Sequence, residues 1–213
     1  MTNIHLHEML YRGREAIEKL GAVSMAICGA GALGSLLADN LVRQGARQVT
    51  VIDHDRVEAH NVGTQLFGRS DVGAYKVDVL RAHCFRVAGV EIKRFAKWLD
   101  ARTVGKFLSG AQLVIDTFDN SASRRIVTEH CNANQLPCLH LGMNEDYGEA
   151  HWNEGYRVPS DVVARNVCEY PLARNLILLV VAAGSEAVLR YVLEGRKENY
   201  AVTLRDLKIN SDW

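Results

Sequence analysis

The sequence predicts a doubly wound α/β fold with a mainly parallel sheet and a short C-terminal β/α addition. Three observations predict it. Segment 23–55 shows the pattern of a buried strand, a helix and a second strand, which is typical of parallel βαβ units. Later apolar strands at 112–117 and 138–141 alternate with helical patterns. Apolar residues make up 48% of the 213 residues, enough for a substantial core.

The N-terminal half begins with a helical lead-in over 1–22, in which 14–20 is the predicted helix. Strand 23–28 is apolar throughout, and Gly45 is the expected stop of the helix at 35–44. The apolar run 48–52 predicts the second strand, and the polar, glycine-containing stretch 56–71 predicts a loop. One apolar face predicts a helix over 75–87. A short strand over 91–96 follows it.

The C-terminal half continues the alternation. Helical patterns at 101–109, ended by Gly110, and at 121–134 flank the strand 112–117, and a further strand covers 138–141. Segment 147–171 is predicted to cross the sheet edge, with a hairpin in its first part and an exposed stretch from 161 onwards. A long apolar helix over 172–194 and a late, edge-type strand over 200–209 complete the prediction of a single domain, 1–213.

Composition narrows the class of protein. Lysine plus arginine equals aspartate plus glutamate at 25 each, so no global charge favours nucleic acid or an anionic membrane. The most apolar run, 176–183, is too short to span a bilayer. The N-terminus lacks a signal-peptide pattern, and five cysteines without a C-x-x-C pair are typical of a reduced protein. We therefore expect a cytoplasmic protein that binds neither nucleic acid nor membrane.

A glycine fingerprint, Gly29-x-Gly31-x-x-Gly34, lies between the first strand and its helix. The first glycine permits a tight turn, the second lets the backbone approach a phosphate, and the third lets the helix pack closely against the strand. The N-terminus of that helix then offers free N–H groups to the anion. Asp53 ends the second strand, at about the 20-residue offset of a ribose-binding acid. These features predict nucleotide binding and leave open whether the nucleotide is NAD or ATP.

Further polar residues follow the strand ends and favour ATP. Asp55, Asn61, Gln65 and Lys76 come after the second strand, where a dehydrogenase needs little beyond its ribose contact. The strand 112–117 is followed by a second group, which consists of Asp119, Asn120 and Arg124 beyond the strand residue Asp116. Open α/β sheets bind ligands at the carboxyl ends of their strands.

Together these segments resemble the ThiF/MoeB/HesA adenylyltransferases, which also form the core of ubiquitin-activating enzymes. The match covers about two-thirds of the chain and includes 13–20, 29–35, 52–58, Asn61, Gln65, Gly73 with Lys76, and 116–120 with Arg124. The resemblance implies that ATP and Mg²⁺ activate the C-terminal Gly-Gly of a small ubiquitin-like or sulfur-carrier protein. The tail carboxylate attacks the α-phosphate and yields an acyl-adenylate and pyrophosphate. It also implies a homodimer.

The resemblance assigns roles residue by residue. Asp53 matches the ribose acid, Asn61 and Lys76 match phosphate contacts, and Asp119 matches the acid that holds Mg²⁺. Asn120 and Arg124 match residues that shape the nucleotide pocket, and Gln65 matches a further nucleotide-binding position. Asp55 matches an acid whose role in the family is less defined. Two arginines that the family uses on phosphates are replaced by Thr64 and His7. Arg12, Arg14 and Arg69 are candidate substitutes.

Cys168, in Val-Cys-Glu-Tyr-Pro, lies where several relatives keep a thiol that accepts the activated tail. Its alternative interpretation is packing. The other cysteines are expected in the core, His140 as a hydrogen-bonded pocket histidine and His54 in solvent. Two alternative functions stay open, a non-catalytic nucleotide-binding scaffold for a ubiquitin-like partner and an NAD-dependent oxidoreductase.

Overall fold

The computed structural model describes residues 4–160 and 171–211. Its secondary structure begins with two helices, α1 (Leu6–Arg12) and α2 (Arg14–Ala22), which meet at Gly13. Gly13 has φ +88°, a backbone conformation that favours glycine, so the chain turns there instead of continuing one helix. The remaining elements are β1 (Ser24–Cys28), α3 (Ala32–Gln44), β2 (Gln48–Ile52), α4 (Lys76–Ala88), β3 (Lys93–Phe95), α5 (Val104–Phe107), β4 (Leu113–Asp116), α6 (Ser121–Ala133), β5 (Cys138–Asn144), β6 (Tyr147–Trp152), α7 (Arg174–Glu194), β7 (Tyr200–Thr203) and β8 (Ile209–Ser211).

Within the described residues, eight strands form a single sheet in the order β3-β2-β1-β4-β5-β6-β7-β8. The five strands from β3 to β5 pair in parallel, and β6, β7 and β8 add antiparallel pairs. The mainly parallel, doubly wound α/β prediction is confirmed. The chain runs outward from β1 to β3 and then returns to β4, so the topological switch point lies between β1 and β4.

Helices cover both faces of this sheet, and the side-chain alternation of a strand divides the core between them. In β1, Met25 and Ile27 pack into the larger cluster beneath α3, α4 and α7. Ala26 and Cys28 pack into the smaller cluster beneath α5 and α6. Apolar residues on both faces explain why β1 reads as a continuous apolar run instead of an alternating one.

Three sequence expectations differ from the structure. The loop 56–71 contains two short 3-10 turns, Ala59–Gly63 and Arg69–Asp71. The hairpin expected within 147–159 is instead formed by β5 and β6, because the chain reverses at Glu145, where φ is +55°. The late strand 200–209 is two strands, β7 and β8, joined by a turn in which Asp206 accepts the N–H of Lys208. Strand β7 is therefore internal, and β8 forms the edge.

Helix α7 is long and apolar enough to cross a membrane by length and composition, and just over half of its most apolar window is buried within the fold. The expectation from the sequence considered the run 176–183 alone and so underestimated the apolar length. Leu176, Ile177, Val180 and Val188 pack into the larger cluster. This burial is what the central helix of a packed domain shows.

Candidate nucleotide site

The glycine loop connects the ends of three strands. The N–H of Gly29, directly after β1, donates to the carbonyl of Ile52 at the end of β2 over 2.8 Å. Thr117, directly after β4, donates its hydroxyl to the carbonyls of Cys28 and Gly29. The parallel register places Cys28 opposite both Ile52 and Asp116. The carboxyl ends of these three strands therefore meet at one edge.

Two of the three glycines are required by close packing. A Cβ at Gly34 would lie 2.1 Å from the carbonyl oxygen of Gly29, and a Cβ at Gly29 would lie 2.8 Å from the Thr117 hydroxyl. Gly29 also has φ +103°. Gly31 differs, since a Cβ there would meet no protein atom within 4 Å. The backbone at the start of α3 consequently faces open space, where its N–H groups suit an anion.

Asp53 joins the end of β2 to this loop. One carboxylate oxygen accepts the N–H of Ala30 at 2.6 Å, and the other accepts the N–H of Asp55 at 2.7 Å. Burial raises the pKa of Asp53, while the charge of Lys76 and these two N–H groups oppose that rise. Each oxygen keeps a second lone pair, so ribose binding remains compatible with these bonds.

Lys76 is buried at the start of α4, and its ammonium lies 2.8 Å from the carboxylate of Asp55. The Lys76 side chain is 8% exposed and that of Asp55 46%. Asp55, whose role the sequence left open, thus pairs with the lysine.

His54, expected in solvent, instead stacks on Trp98 and lies 3.1 Å from Asp55, because its loop folds back against the segment after β3. His54 is therefore half-buried and only partly solvated.

Asn61 and Gln65 lie together in the first 3-10 turn and directly after it. The side-chain oxygen of Asn61 accepts the N–H of Glu58, and its backbone carbonyl accepts the N–H of Gln65. Gln65 is buried, and its side-chain oxygen has no hydrogen-bond partner in the described part of the chain. A buried amide without a partner costs free energy, so Gln65 is suited to contact a ligand.

A buried polar network follows β4 and β5. The Asp116 carboxylate accepts a hydrogen bond from Nδ1 of His140 at 2.9 Å and a longer one from the guanidinium of Arg124 at 3.5 Å. Arg124 also donates to the Tyr156 hydroxyl and to the carbonyl of Leu141. Burial acts to lower the pKa of Arg124, but the charges of Asp116 and Tyr156 outweigh it and the net pKa is raised. The guanidinium is therefore held within the protein by several partners.

The sequence did not predict the contact of His140 with Asp116 or the contacts of Tyr156 with His140 and Arg124. The two strands pair in parallel with Asp116 opposite His140, so the strand register carried the signal once β4 and β5 were known to be neighbours. His140 matches the expectation of a pocket histidine at Nδ1, whereas its Nε2 has no hydrogen-bond partner within the described residues. Its ring stacks on Tyr156 with centroids 3.7 Å apart.

Asp119 and Asn120 form the loop between β4 and α6. Asn120 caps α6, since its side-chain oxygen accepts the N–H of Ser123 at 2.9 Å. Asp119 is exposed, and one of its carboxylate oxygens accepts a long hydrogen bond, 3.4 Å, from the side-chain amide of Asn120. A carboxylate with free lone pairs suits Mg²⁺, which prefers oxygen ligands. Asp119 therefore fits the magnesium role that the resemblance assigns to it.

The candidate substitutes for the two missing arginines differ in availability. Arg12 lies 2.9 Å from Glu8 and 2.8 Å from Glu186 of α7, so its charge is already paired. Arg14 and Arg69 are exposed, as is His7 on α1. Thr64 is half-buried beside Gln65.

The cysteines divide into two groups. Cys28, Cys84, Cys131 and Cys138 are buried, as expected of core residues. Burial raises the pKa of the Cys84 thiol to about 12 and raises those of Cys28 and Cys138 as well. Thiols of this kind are poor nucleophiles at neutral pH. Cys168 lies outside the described residues.

Comparison with protein families matches residues 4–156 to the model described as the ThiF family. Ubiquitin-like modifier-activating enzyme 5 of Drosophila simulans is 28% identical over 183 residues, which cover 74% of this chain and 44% of that protein. The tRNA threonylcarbamoyladenosine dehydratase of Bacillus subtilis is 29% identical over 60% of this chain and 51% of its own. The chain spans about half the length of the relatives it matches, or less.

Solved structures with the same fold include E. coli MccB. MccB with MccA-N7isoASN superposes with a TM-score of 0.85 at 17% identity and covers 100% of this chain and 72% of its own. MccB with ATP gives a TM-score of 0.83 at 16% identity, with 100% and 71% coverage. At these identities the likeness concerns the fold.

Proposed function

Because the chain belongs to the ThiF family, we propose that it uses ATP to adenylate the carboxyl terminus of a small protein or peptide. The carboxylate attacks the α-phosphate, a bond to pyrophosphate breaks, and an acyl-adenylate forms. Relatives named as activating enzymes of a ubiquitin-like modifier support this class of substrate, and MccB solved with ATP supports the nucleotide. In its more specific form, the proposal is that the activated carboxyl terminus belongs to a Gly-Gly tail of a ubiquitin-like or sulfur-carrier protein.

The observation that carries this proposal is the joining of the three segments by hydrogen bonds at one sheet edge. Asp53 accepts the N–H of Ala30 within the glycine loop, and Thr117 donates to the loop from the β4 side. The buried cation Lys76 lies on one side of this edge, and the exposed carboxylate of Asp119 follows β4 on the other. A catalyst of phosphoryl-type transfer acts mainly by positioning and charge neutralisation, so these groups are of the required kind.

Each side chain has a separate role in this proposal. Asp53 binds the ribose hydroxyls, the α3 N-terminus and Asn61 bind phosphates, and Lys76 leaves Asp55 to neutralise the triphosphate. Asp119 would hold Mg²⁺, which supplies positive charge across the phosphate oxygens when bound. Gln65 and Asn120 shape the pocket, and Arg124 supports its wall through Asp116. Cys168 is proposed to attack the acyl-adenylate, so that a thioester forms and AMP leaves.

The proposed setting is a cytoplasmic homodimer that acts on a protein partner and binds neither nucleic acid nor membrane. Equal numbers of acidic and basic residues support the absence of a general polyanion partner. Helix α1 supports self-association, because none of its residues is buried although Leu6 and Leu10 lie on it. The single-domain reading of 1–213 is part of the same proposal.

A second candidate function is a nucleotide-binding scaffold without turnover. Thr64 and His7 stand where the family carries phosphate-binding arginines, and Arg12 is committed to Glu186. Loss of one such cation can cost about 10³-fold or more in rate. Membership in the ThiF family favours both ATP-binding readings over the NAD-dependent oxidoreductase.

The test is ATP–pyrophosphate exchange with candidate small proteins that end in Gly-Gly, with ATP·Mg²⁺ and NAD compared in thermal shift. We expect exchange with one partner, a shift with ATP·Mg²⁺ and none with NAD. Asp119→Ala should abolish exchange, and Glu91→Ala, which removes an exposed carboxylate just before β3 at the opposite edge of the sheet, should leave it unchanged. ATP binding with background exchange for every partner would favour the scaffold, and a preference for NAD would reject both ATP readings.

A further inference from the structure

An exposed aromatic ring lies beside the candidate nucleotide site. Trp98 is 64% exposed, in contrast to Trp152, which is 1% exposed and packs in the core. The ring of His54 lies on Trp98 with centroids 3.4 Å apart and planes inclined by 27°. His54 is the residue between Asp53 and Asp55, so the pair belongs to the polar cluster at the end of β2.

The position of this pair is fixed by the backbone. The N–H of Asp53 donates to the carbonyl of Phe95, the last residue of β3, over 3.1 Å. The Thr103 hydroxyl lies between the carbonyl of Trp98, at 3.2 Å, and the carboxylate of Asp100, at 2.9 Å, and its one proton is shared between them. The backbone N–H of Thr103 also donates to the Asp100 carboxylate. The segment after β3 is thus tied to the end of β2 and to the turn that begins α5. Trp98 is held at the carboxyl edge of the sheet despite its exposure.

The strand order gives the direction in which a nucleotide would extend. Strands β1, β2 and β3 are neighbours in that order. The anion-binding loop follows β1, and the ribose-binding acid Asp53 follows β2. The base lies on the far side of the ribose from the phosphates. Continued across the sheet, the same line reaches the segment after β3, where Trp98 lies.

We propose that Trp98, backed by His54, is the wall against which the nucleotide base stacks. This inference rests on the proposed function and adds the part of the site that receives the base. Every base has a π-face, so the strength of stacking depends on the area of the ring system and not on its hydrogen-bonding groups. The site would therefore favour purine over pyrimidine nucleotides and distinguish ATP from GTP weakly.

The experiment measures dissociation constants by calorimetry for ATP and for inorganic tripolyphosphate, both with Mg²⁺. Tripolyphosphate carries the charge of the phosphates without the base, so the difference between the two ligands reports the base contact. The variants are Trp98→Ala and Trp98→Phe. The matched control is Phe85→Ala, an aromatic residue that is 59% exposed on α4 and lies nine residues, about 13 Å along the helix, from Lys76.

We expect Trp98→Ala to weaken ATP binding by about 5- to 150-fold, the range measured for loss of one base–aromatic stack. Tripolyphosphate binding should stay within about twofold of wild type, which also shows that the variant is folded. Trp98→Phe, which keeps an aromatic ring, should lie between the two, and Phe85→Ala should match wild type for both ligands.

Other outcomes separate this inference from the proposed function. If wild type binds ATP and Trp98→Ala binds it equally well, the inference is wrong while the proposed function stands. The same holds if wild type binds ATP no more tightly than tripolyphosphate. If both ligands weaken equally in Trp98→Ala, Trp98 supports the loop instead of the base and the inference is again wrong. If wild type binds neither ligand, both proposals are rejected.

Discussion

At the scale of single residues, the two glycines at the start of α3 have opposite environments. Gly34 faces the backbone carbonyl of Gly29 and the hydroxyl of Thr117 at distances too short for a Cβ. Gly31 faces open space with φ −78°, a value open to any residue. One glycine is therefore required for folding, and the other leaves room for a ligand. Substitution of Gly34 should therefore affect the stability of the fold, whereas substitution of Gly31 should affect ligand binding.

Replacing Gly34 by alanine should destabilise the fold. Alanine would gain up to about 1 kcal/mol of helix propensity, but its Cβ would clash with backbone that cannot move aside. We expect a net loss of about 1–3 kcal/mol in the free energy of unfolding, measured by urea denaturation. Unchanged stability would mean that the loop adapts more readily than its packing indicates.

Replacing Gly31 by alanine should leave stability within about 1 kcal/mol of wild type, since its Cβ meets no protein atom. The added methyl would occupy the space through which phosphate approaches the α3 N-terminus. We expect the thermal shift caused by ATP·Mg²⁺ to fall or disappear. A full shift in Gly31→Ala would show that the phosphates bind elsewhere.

Lys76→Ala tests the buried cation. Because the Lys76 side chain is 8% exposed and its charge lies beside the carboxylates that follow β2, its loss should abolish ATP binding and adenylate formation. Its partner Asp55 is 46% exposed, so water can solvate the remaining carboxylate and the melting temperature should change little. Calorimetric titration with ATP checks this result. Lys19→Ala, at an exposed helical pair with Glu15, is the control that should bind ATP normally.

At the scale of elements, the end of β4 shows how two strands and a helix share one buried charge. Asp116 is fully buried and is matched by His140 from β5 and Arg124 from α6. Tyr156 covers the network from the segment after β6. A buried carboxylate is tolerated only when such partners surround it. The network therefore fixes α6, and with it the capping residue Asn120 and the adjacent Asp119.

Arg124→Met tests this network. It keeps the length of the side chain but removes the charge beside Asp116, so we expect about 3–5 kcal/mol lower stability in urea. Arg125→Met changes the exposed neighbour on the same helix and should cost less than about 0.5 kcal/mol. Equal stability of the two variants would show that Asp116 is satisfied without Arg124.

At the scale of the whole molecule, the exposed face of α1 bears on assembly. Leu10 is 74% and Tyr11 81% exposed, although Arg12 at the end of the same helix is paired with α7. The helix is thus anchored while its apolar side chains face outward, as expected of an interface between subunits.

The proposed homodimer should dissociate when this face is charged. We expect light scattering to give a dimer mass for wild type and a monomer mass for Leu10→Glu. Leu207→Glu, which alters an equally exposed leucine in the turn between β7 and β8, should remain dimeric. A monomeric wild type would reject the homodimer.

Much of this architecture could be predicted because the determining signals are local. The glycine spacing, the apolar run of β1 and the acid after β2 act over a few tens of residues at most, and they predicted β1, α3, β2 and the glycine loop within a few positions. Local patterns also indicated that Asp53 and Lys76 follow strand ends. They could not show that Lys76 is paired with Asp55 or that Gln65 keeps an unpartnered oxygen, since both depend on where the loop returns to the sheet.

The sequence by itself determined the fold class, the family resemblance and the candidate residues, because hydrophobic period and glycine geometry are properties of short segments. Tertiary structure decided which distant residues meet: His140 with Asp116 across β4 and β5, Arg12 with Glu186 across α1 and α7, and Trp98 with His54 beside β2. The physical reason is that strand register and helix packing set these contacts, and both are fixed by burial of the whole core rather than by any single segment.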